Sequence, residues 1–222
     1  IDLAFEHLIP KSKENGVAIA VIHRSHHFGQ AGAHVERLAY QGLIGLTLAN
    51  TPKAMAFWGG KTSRLGTNPI AFSCPLGATE HPLVIDLALS VAARGKVLAA
   101  KKKGAEIPAN WALDQFGAPT IDPKEALSGT LLPIGGAKGA ALALMVEVLV
   151  AGLSGSHFGW QASSFLDDRG PPPNVGQIFI ALDPDLLSNG AFLPQMAELL
   201  SVIGEDDVRL PGARRVHLRE VA

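Results

Sequence analysis

A histidine pair, a carboxylate at the end of an apolar run and a lysine in a glycine-rich turn are the chemically capable groups of this chain. Ser25-His26-His27-Phe28-Gly29 follows the apolar run Val17–Ile22 and precedes a helical pattern. A junction of this kind is where α/β proteins present groups to ligands, and imidazole is the side chain suited to passing a proton there. The plainer reading of each histidine is a side chain that satisfies a strand end. Gly29 and Gly32 would let a ligand come close to the backbone. Asp86 follows Leu83-Val84-Ile85; Ser90 is the better cap for the next helix, so Asp86 needs another partner or a ligand.

Lys138 follows Gly135-Gly136-Ala137 and opens an apolar helix. A cation is misplaced at a helix N-terminus unless it meets an anion, and backbone N–H groups with a lysine form a phosphate cradle. In Gly66-Thr67-Asn68-Pro69 the proline predicts an extended Asn68, and Thr67 and Asn68 offer polar groups in a tight loop. Arg214 and Arg215, after Pro211-Gly212, suit a phosphate, a carboxylate or a solvated basic edge.

Other chemistries lack their patterns. No strand is followed by Gly-x-Gly-x-x-Gly, so the ordinary dinucleotide fingerprint is missing. Gly59-Gly60-Lys61-Thr62 resembles the end of a P-loop, but Met55 stands where its first glycine belongs. His23, His26 and His27 have no carboxylate nearby, and Arg24 would repel a cation, so no metal is expected. Nineteen Lys and Arg against 20 Asp and Glu leave a net charge of -1 and no basic surface for nucleic acid. Ala140–Leu153, interrupted by Glu147, is too short to cross a bilayer, so no membrane partner is expected. Cys74 is the one cysteine, which suits a reducing compartment and predicts a cytoplasmic location.

These groups need a scaffold of buried strands and helices. Residues 1–15 read as the end of a helix closed by Gly16. Val17–Ile22 and Leu43–Leu48 read as buried strands flanking a helix over 30–41, which predicts a mainly parallel or mixed sheet. Residues 50–68 read as a long functional loop. Ile70–Ser73 and Leu83–Ile85 are short strands, Val91–Lys103 is a helix and 104–136 is irregular. Lys138–Leu153, apolar almost all round, predicts a buried helix. Gln177–Leu182 and Ala191–Ile203 complete an α/β pattern.

Several of these stretches occur in a recognisable order. Val17–Phe28, Gly66–Phe72, Asp122-Pro123-Lys124, Leu132-Pro133 with Gly135-Gly136 and Lys138-Gly139, Met145-Val146-Glu147 and Gly176-Gln177 resemble the malate/L-lactate dehydrogenase-like family over about Gly16 to Arg215. Within it, His26-His27, Gly155–Trp160 and Pro211–Arg215 look most like the Δ1-piperideine-2-carboxylate/Δ1-pyrroline-2-carboxylate reductases. The resemblance implies an α/β, non-Rossmann NAD(P)-binding fold with a mixed sheet, and one oxidoreductase domain over 1–222. The family's N-terminal helices, with their Asp-Ser-His-Gly segment, have no counterpart here, and the chain reads as the later part of a longer protein.

The implied activity is NADPH- or NADH-dependent reduction of a cyclic 2-imino acid to the cyclic amino acid. The alternatives are a 2-hydroxy-acid dehydrogenase acting on a 2-oxo acid, or a truncated, non-catalytic coenzyme-binding relative. By the same resemblance His27 is the acid–base group and Asp86 its catalytic partner, while Asn50, Asp86, Leu87, Ala88, Lys138, Pro211 and Gly212 hold the coenzyme. The family's habit and the apolar helix together predict a homodimer.

Overall fold

The computed structural model describes residues 1–77, 80–206 and 208–221. Helix α1 (Asp2–Asn15) is closed by Gly16, whose φ of 79° needs a residue without a Cβ. It leads into β1 (Val17–Ser25), and α2 (Ala31–Ala39) leads into β2 (Ile44–Ala49). Strands β5 (Ile70–Cys74), β6 (Leu83–Leu87) and β9 (Val175–Leu182) complete a five-stranded sheet ordered β1-β9-β2-β5-β6. Short strands β3 (Met55–Ala56), β4 (Ser63–Leu65), β7 (Ala112–Leu113) and β8 (Thr130–Leu131) form a second sheet, ordered β4-β3-β8-β7.

The α/β class with mixed pairing holds, but the mixture sits in the smaller sheet, where β3 pairs parallel with β8 and antiparallel with β4. Every neighbour in the larger sheet is antiparallel. The expected parallel neighbours are therefore corrected. Strands β1 and β2 do run the same way, but β9 lies between them and pairs with both, Val17 and Ile44 each standing opposite Leu182. Sequence periodicity carries no signal for a strand inserted from so far along the chain.

Alternation along β9 separates two cores. Phe179 and Ala181 join Phe5, Leu8, Leu38 and Leu43 beneath α1 and α2. Ile178, facing the other way, joins Leu48, Met55, Leu65, Leu131, Val146 and Val150, between the two sheets and α5 (Ala137–Glu147). Helix α3 (Arg94–Lys103) and α4 (Pro123–Ser128) add Val97 and Ala126 to that second core. After α6 (Pro184–Ser188) and α7 (Phe192–Glu205), α8 (Ala213–Glu220) is tied to α2 by Arg219, which donates to both carboxylate oxygens of Glu36.

Residues 50–68, read as a loop, hold β3 and β4, and 104–136, read as irregular, hold β7, α4 and β8; other local expectations change as well. Strand β1 is an edge, not a buried strand: Val17, Ile19 and Val21 are 45 %, 61 % and 43 % exposed. Helix α5 buries Ala143 and Val146 but exposes Leu142, Leu144 and Met145, and the chain then passes through a π-helical turn at Val148–Gly152. Asn68 has a φ of 39° instead of an extended backbone, stabilised by its own side-chain hydrogen bonds. Ser90 donates to Ala92 O and α3 begins only at Arg94, so Ser90 caps nothing.

Candidate active site

Strands β1, β2 and β6 point the same way and so deliver their C-terminal loops to one end of the large sheet, where β5 and β9 begin. That end holds a cavity of about 500 Å³ lined by His26, His27, Asn50, Thr67, Asp86 and Gln177, among others. Residues spread over most of the sequence thus meet because of strand direction alone.

Of the expected site residues, the cavity gathers His27, Asn50, Asp86 and Ala88. The His27 ring is oriented by its own turn: Gly29 N donates to its Nδ1 at 3.0 Å. The neutral ring then carries its proton on Nε2. Phe165 reaches across from the loop before β9, its centroid 4.9 Å from that of His26 and 5.4 Å from that of His27. Asp86 does not orient His27 by a direct hydrogen bond in this structure. Its Oδ2 accepts from Gly32 N at 2.8 Å and lies 3.9 Å from Arg215 Nη2. A Cβ at position 32 would sit 2.7 Å from Arg215 Nη1 and 2.8 Å from Asp86 Oδ2, so the glycine is what admits both groups. Arg215 Nη1 is buried and has no partner among the described residues.

Asn50 lines the cavity, yet its amide is spent on the scaffold: Nδ2 donates to His157 O at 2.8 Å and Oδ1 accepts from Gly176 N at 2.9 Å. Behind it stands Glu147, 1 % exposed, which accepts from Asn68 Nδ2 at 2.7 Å and from Gly159 N. Burial holds the Glu147 carboxyl above the usual carboxylate range, while hydrogen bonds from Asn68, Gly159, Asn50 and Gly66 pull the other way. Asn68 Oδ1 in turn accepts from Thr51 N, and Thr51 Oγ1 accepts from Thr67 N at 2.9 Å. Glu147 therefore braces the wall that carries Asn50, Thr51 and Thr67.

The remaining expected residues lie outside this cavity. Leu87 ends β6 with its side chain partly exposed. Lys138 is exposed in the first turn of α5; Ile134 N donates to Leu89 O and so ties its loop to the segment after Asp86. Pro211 and Gly212 precede α8, and a Cβ on Gly212 would lie 2.9 Å from Val84 O, so the turn packs on β6. Phe165 carries no sequence motif. Arg215 follows the Pro211-Gly212 turn that marks it for an anion, and Glu147 leaves a trace because a lone carboxylate inside an apolar helix has to find donors.

Comparison with known proteins agrees with this architecture. The chain is 53 % identical over 214 residues to a (2R)-3-sulfolactate dehydrogenase (NADP(+)) of Chromohalobacter salexigens, covering 96 % of this chain and 64 % of that protein. It is 38 % identical over 221 residues to a Δ1-pyrroline-2-carboxylate/Δ1-piperideine-2-carboxylate reductase of Pseudomonas putida, covering 99 % and 64 %. The crystal structure of Δ1-piperideine-2-carboxylate reductase from Pseudomonas syringae superposes with a TM-score of 0.90 at 38 % identity, covering 99 % of this chain and 66 % of that one. The chain thus spans a little under two thirds of the length of these relatives. Its residues 1–222 match the malate/L-lactate dehydrogenase family throughout, and with the fold and these likenesses in agreement, the chain belongs to that family.

Proposed function

We propose that residues 1–222 form one unit of an NAD(P)-dependent oxidoreductase that interconverts a small 2-oxo acid with its 2-hydroxy acid. The observation that carries this reading is the meeting of His27, Asp86 and the amide of Gln177 at one cavity. The higher identity to the sulfolactate dehydrogenase favours a 2-hydroxy acid with a second anionic group. Reduction of a cyclic 2-imino acid is the second reading, favoured by the pyrroline- and piperideine-carboxylate reductases.

The cavity suits the nicotinamide end of a coenzyme. Phe165 lines it, and the buried Gln177 Oε1 has no hydrogen-bond partner among the described residues. When bound, a reduced nicotinamide would supply the hydride for C2 of the substrate. His27 supplies the proton to the substrate oxygen, or to nitrogen in an imine. To release the Nε2 proton the ring must also hold one on Nδ1, so Gly29 N–H has to turn away from it. The Asp86 carboxylate lines the same cavity as His27. Arg215, with one buried nitrogen that has no partner among the described residues, is the cation beside Asp86 for an anionic group. Asp86 and Ala88 would border the coenzyme, with Asn50 shaping the wall. Lys138 would meet a phosphate farther out, with Leu87 and the Pro211-Gly212 turn lining the path.

We also propose a homodimer. Val17, Ile19 and Val21 share the face of Ile178 and Ile180, because they stand opposite Leu182, Ile180 and Ile178, and no described element covers them. One buried thiol, with burial pushing the Cys74 pKa up to about 11, suits a reducing compartment such as the cytoplasm.

The test is a substrate panel on the full-length protein, following coenzyme absorbance. Sulfopyruvate, oxaloacetate, pyruvate and the two cyclic imines are each run with NADPH and NADH. Turnover with a 2-oxo acid that falls about a hundredfold in His27→Ala is expected. Turnover confined to the imines transfers the assignment to the second reading. Coenzyme binding without any turnover identifies a non-catalytic relative.

A further inference from the structure

Gln177 is an amide where the surrounding packing calls for an apolar residue. It lies on β9 two positions before Phe179, on the strand face that packs beneath α1 and α2, and it is 1 % exposed. Its Nε2 donates to His26 O at 3.1 Å, linking β9 to the histidine turn. That bond also fixes the amide's orientation, because a flipped side chain would set carbonyl against carbonyl. Gln177 lines the cavity, and its other end, Oε1, is buried and meets no hydrogen-bond donor among the described residues. A buried amide oxygen without a donor is unfavourable and points to a ligand group that completes it.

The chemistry of Oε1 narrows that group. A carbonyl oxygen accepts and cannot donate, so it repels the carboxylate, sulfonate, phosphate or keto oxygens of an acid substrate or a coenzyme tail. It needs an N–H or O–H. The reaction proposed above requires a nicotinamide ring beside His27, and its carboxamide is a neutral N–H donor one atom from the ring. This donor is present for an oxo acid and for an imine alike.

We propose that Gln177 Oε1 accepts a hydrogen bond from the carboxamide N–H of the bound nicotinamide, making Gln177 the residue that orients the ring against the histidine turn. The proposal rests on the reading of this cavity as the coenzyme site. Gln177 is then a two-ended brace: Nε2 holds the His26 carbonyl and Oε1 holds the coenzyme, so ring and acid–base segment share one side chain.

The test compares reduced coenzyme with its 3-acetylpyridine analogue, in which a methyl ketone replaces the carboxamide and no N–H remains. Dissociation constants are measured on the full-length protein by tryptophan fluorescence or calorimetry, for NADPH and NADH and their analogues, without substrate. The native protein is expected to prefer the carboxamide coenzyme by about tenfold, the worth of one neutral hydrogen bond. Gln177→Met, similar in length but without the acceptor, should reduce that ratio to about one. Equal affinity of the native protein for coenzyme and analogue overturns the proposal even if a variant does not fold, and so does an undiminished preference in Gln177→Met. Failure of the native protein to bind either coenzyme overturns the coenzyme reading itself, a result distinct from binding without discrimination.

Discussion

Glu147 lies between Val146 and Val148, yet its carboxylate collects hydrogen bonds from Asn68 and Gly159 deep beside the main core. Replacing it with alanine leaves two buried donors unpaired, which costs roughly 2–4 kcal/mol. For a chain of this size that lowers the melting temperature by about 5–15 °C. The carboxyl also makes stability depend on pH. Burial raises its folded-state pKa above the unfolded value, so the folded chain binds its proton more tightly than the unfolded one. The associated stability is complete below the unfolded pKa and declines as pH rises through the folded one. Denaturant titrations of native protein and Glu147→Gln across this range should diverge as pH increases, with the native protein losing ground. A constant difference would mean that the carboxyl titrates as it does in the unfolded chain.

At the scale of the elements, the loop that carries Lys138 depends on Gly139 more than on any charge. A Cβ at Gly139 would lie 1.8 Å from Ile134 O, closer than any contact permits. Gly139→Ala should therefore displace the first turn of α5 and destabilise the protein by several kcal/mol, about what strong overpacking costs. Circular dichroism on heating reads this directly, and a melting curve matching the native one would contradict it. The elements of the larger sheet were largely legible, whereas the short strands of the smaller sheet were not. Gly16 ends α1 as expected, Leu43–Leu48 falls on β2, and Gln177–Leu182 falls within β9. The two misread burials share a physical origin. The apolar runs Val17–Ile22 and Lys138–Leu153 read as buried because hydrophobicity reports a tendency to be covered, not whether this chain supplies the cover. The same limit applies to the site. His27 and Asp86 were legible as strand-end groups, whereas the partnership of Asp86 with Gly32 and Arg215 depends on how α8 docks, which no local pattern encodes.

At the scale of the whole molecule, the proposed homodimer rests on uncovered apolar residues on β1, on α5 and at Val148. Sedimentation of the full-length protein at micromolar concentration should give a dimer. Ile19→Lys combined with Val148→Asp should give a monomer that keeps its secondary structure. A native protein that sediments as a monomer would remove this surface from the assembly.

The insertion of β9 bears on how the polypeptide is born. The larger sheet cannot be zipped together from the amino end, because Val17 and Ile44 both wait for Leu182. Until β9 is made, the facing edges of β1 and β2 lack the partner they share in the folded sheet, the kind of exposure on which nascent chains stick to one another. Such long-range closure is also slow. Refolding yield should consequently fall with concentration, and newly made chains should draw on chaperones until the last strand slides into its slot.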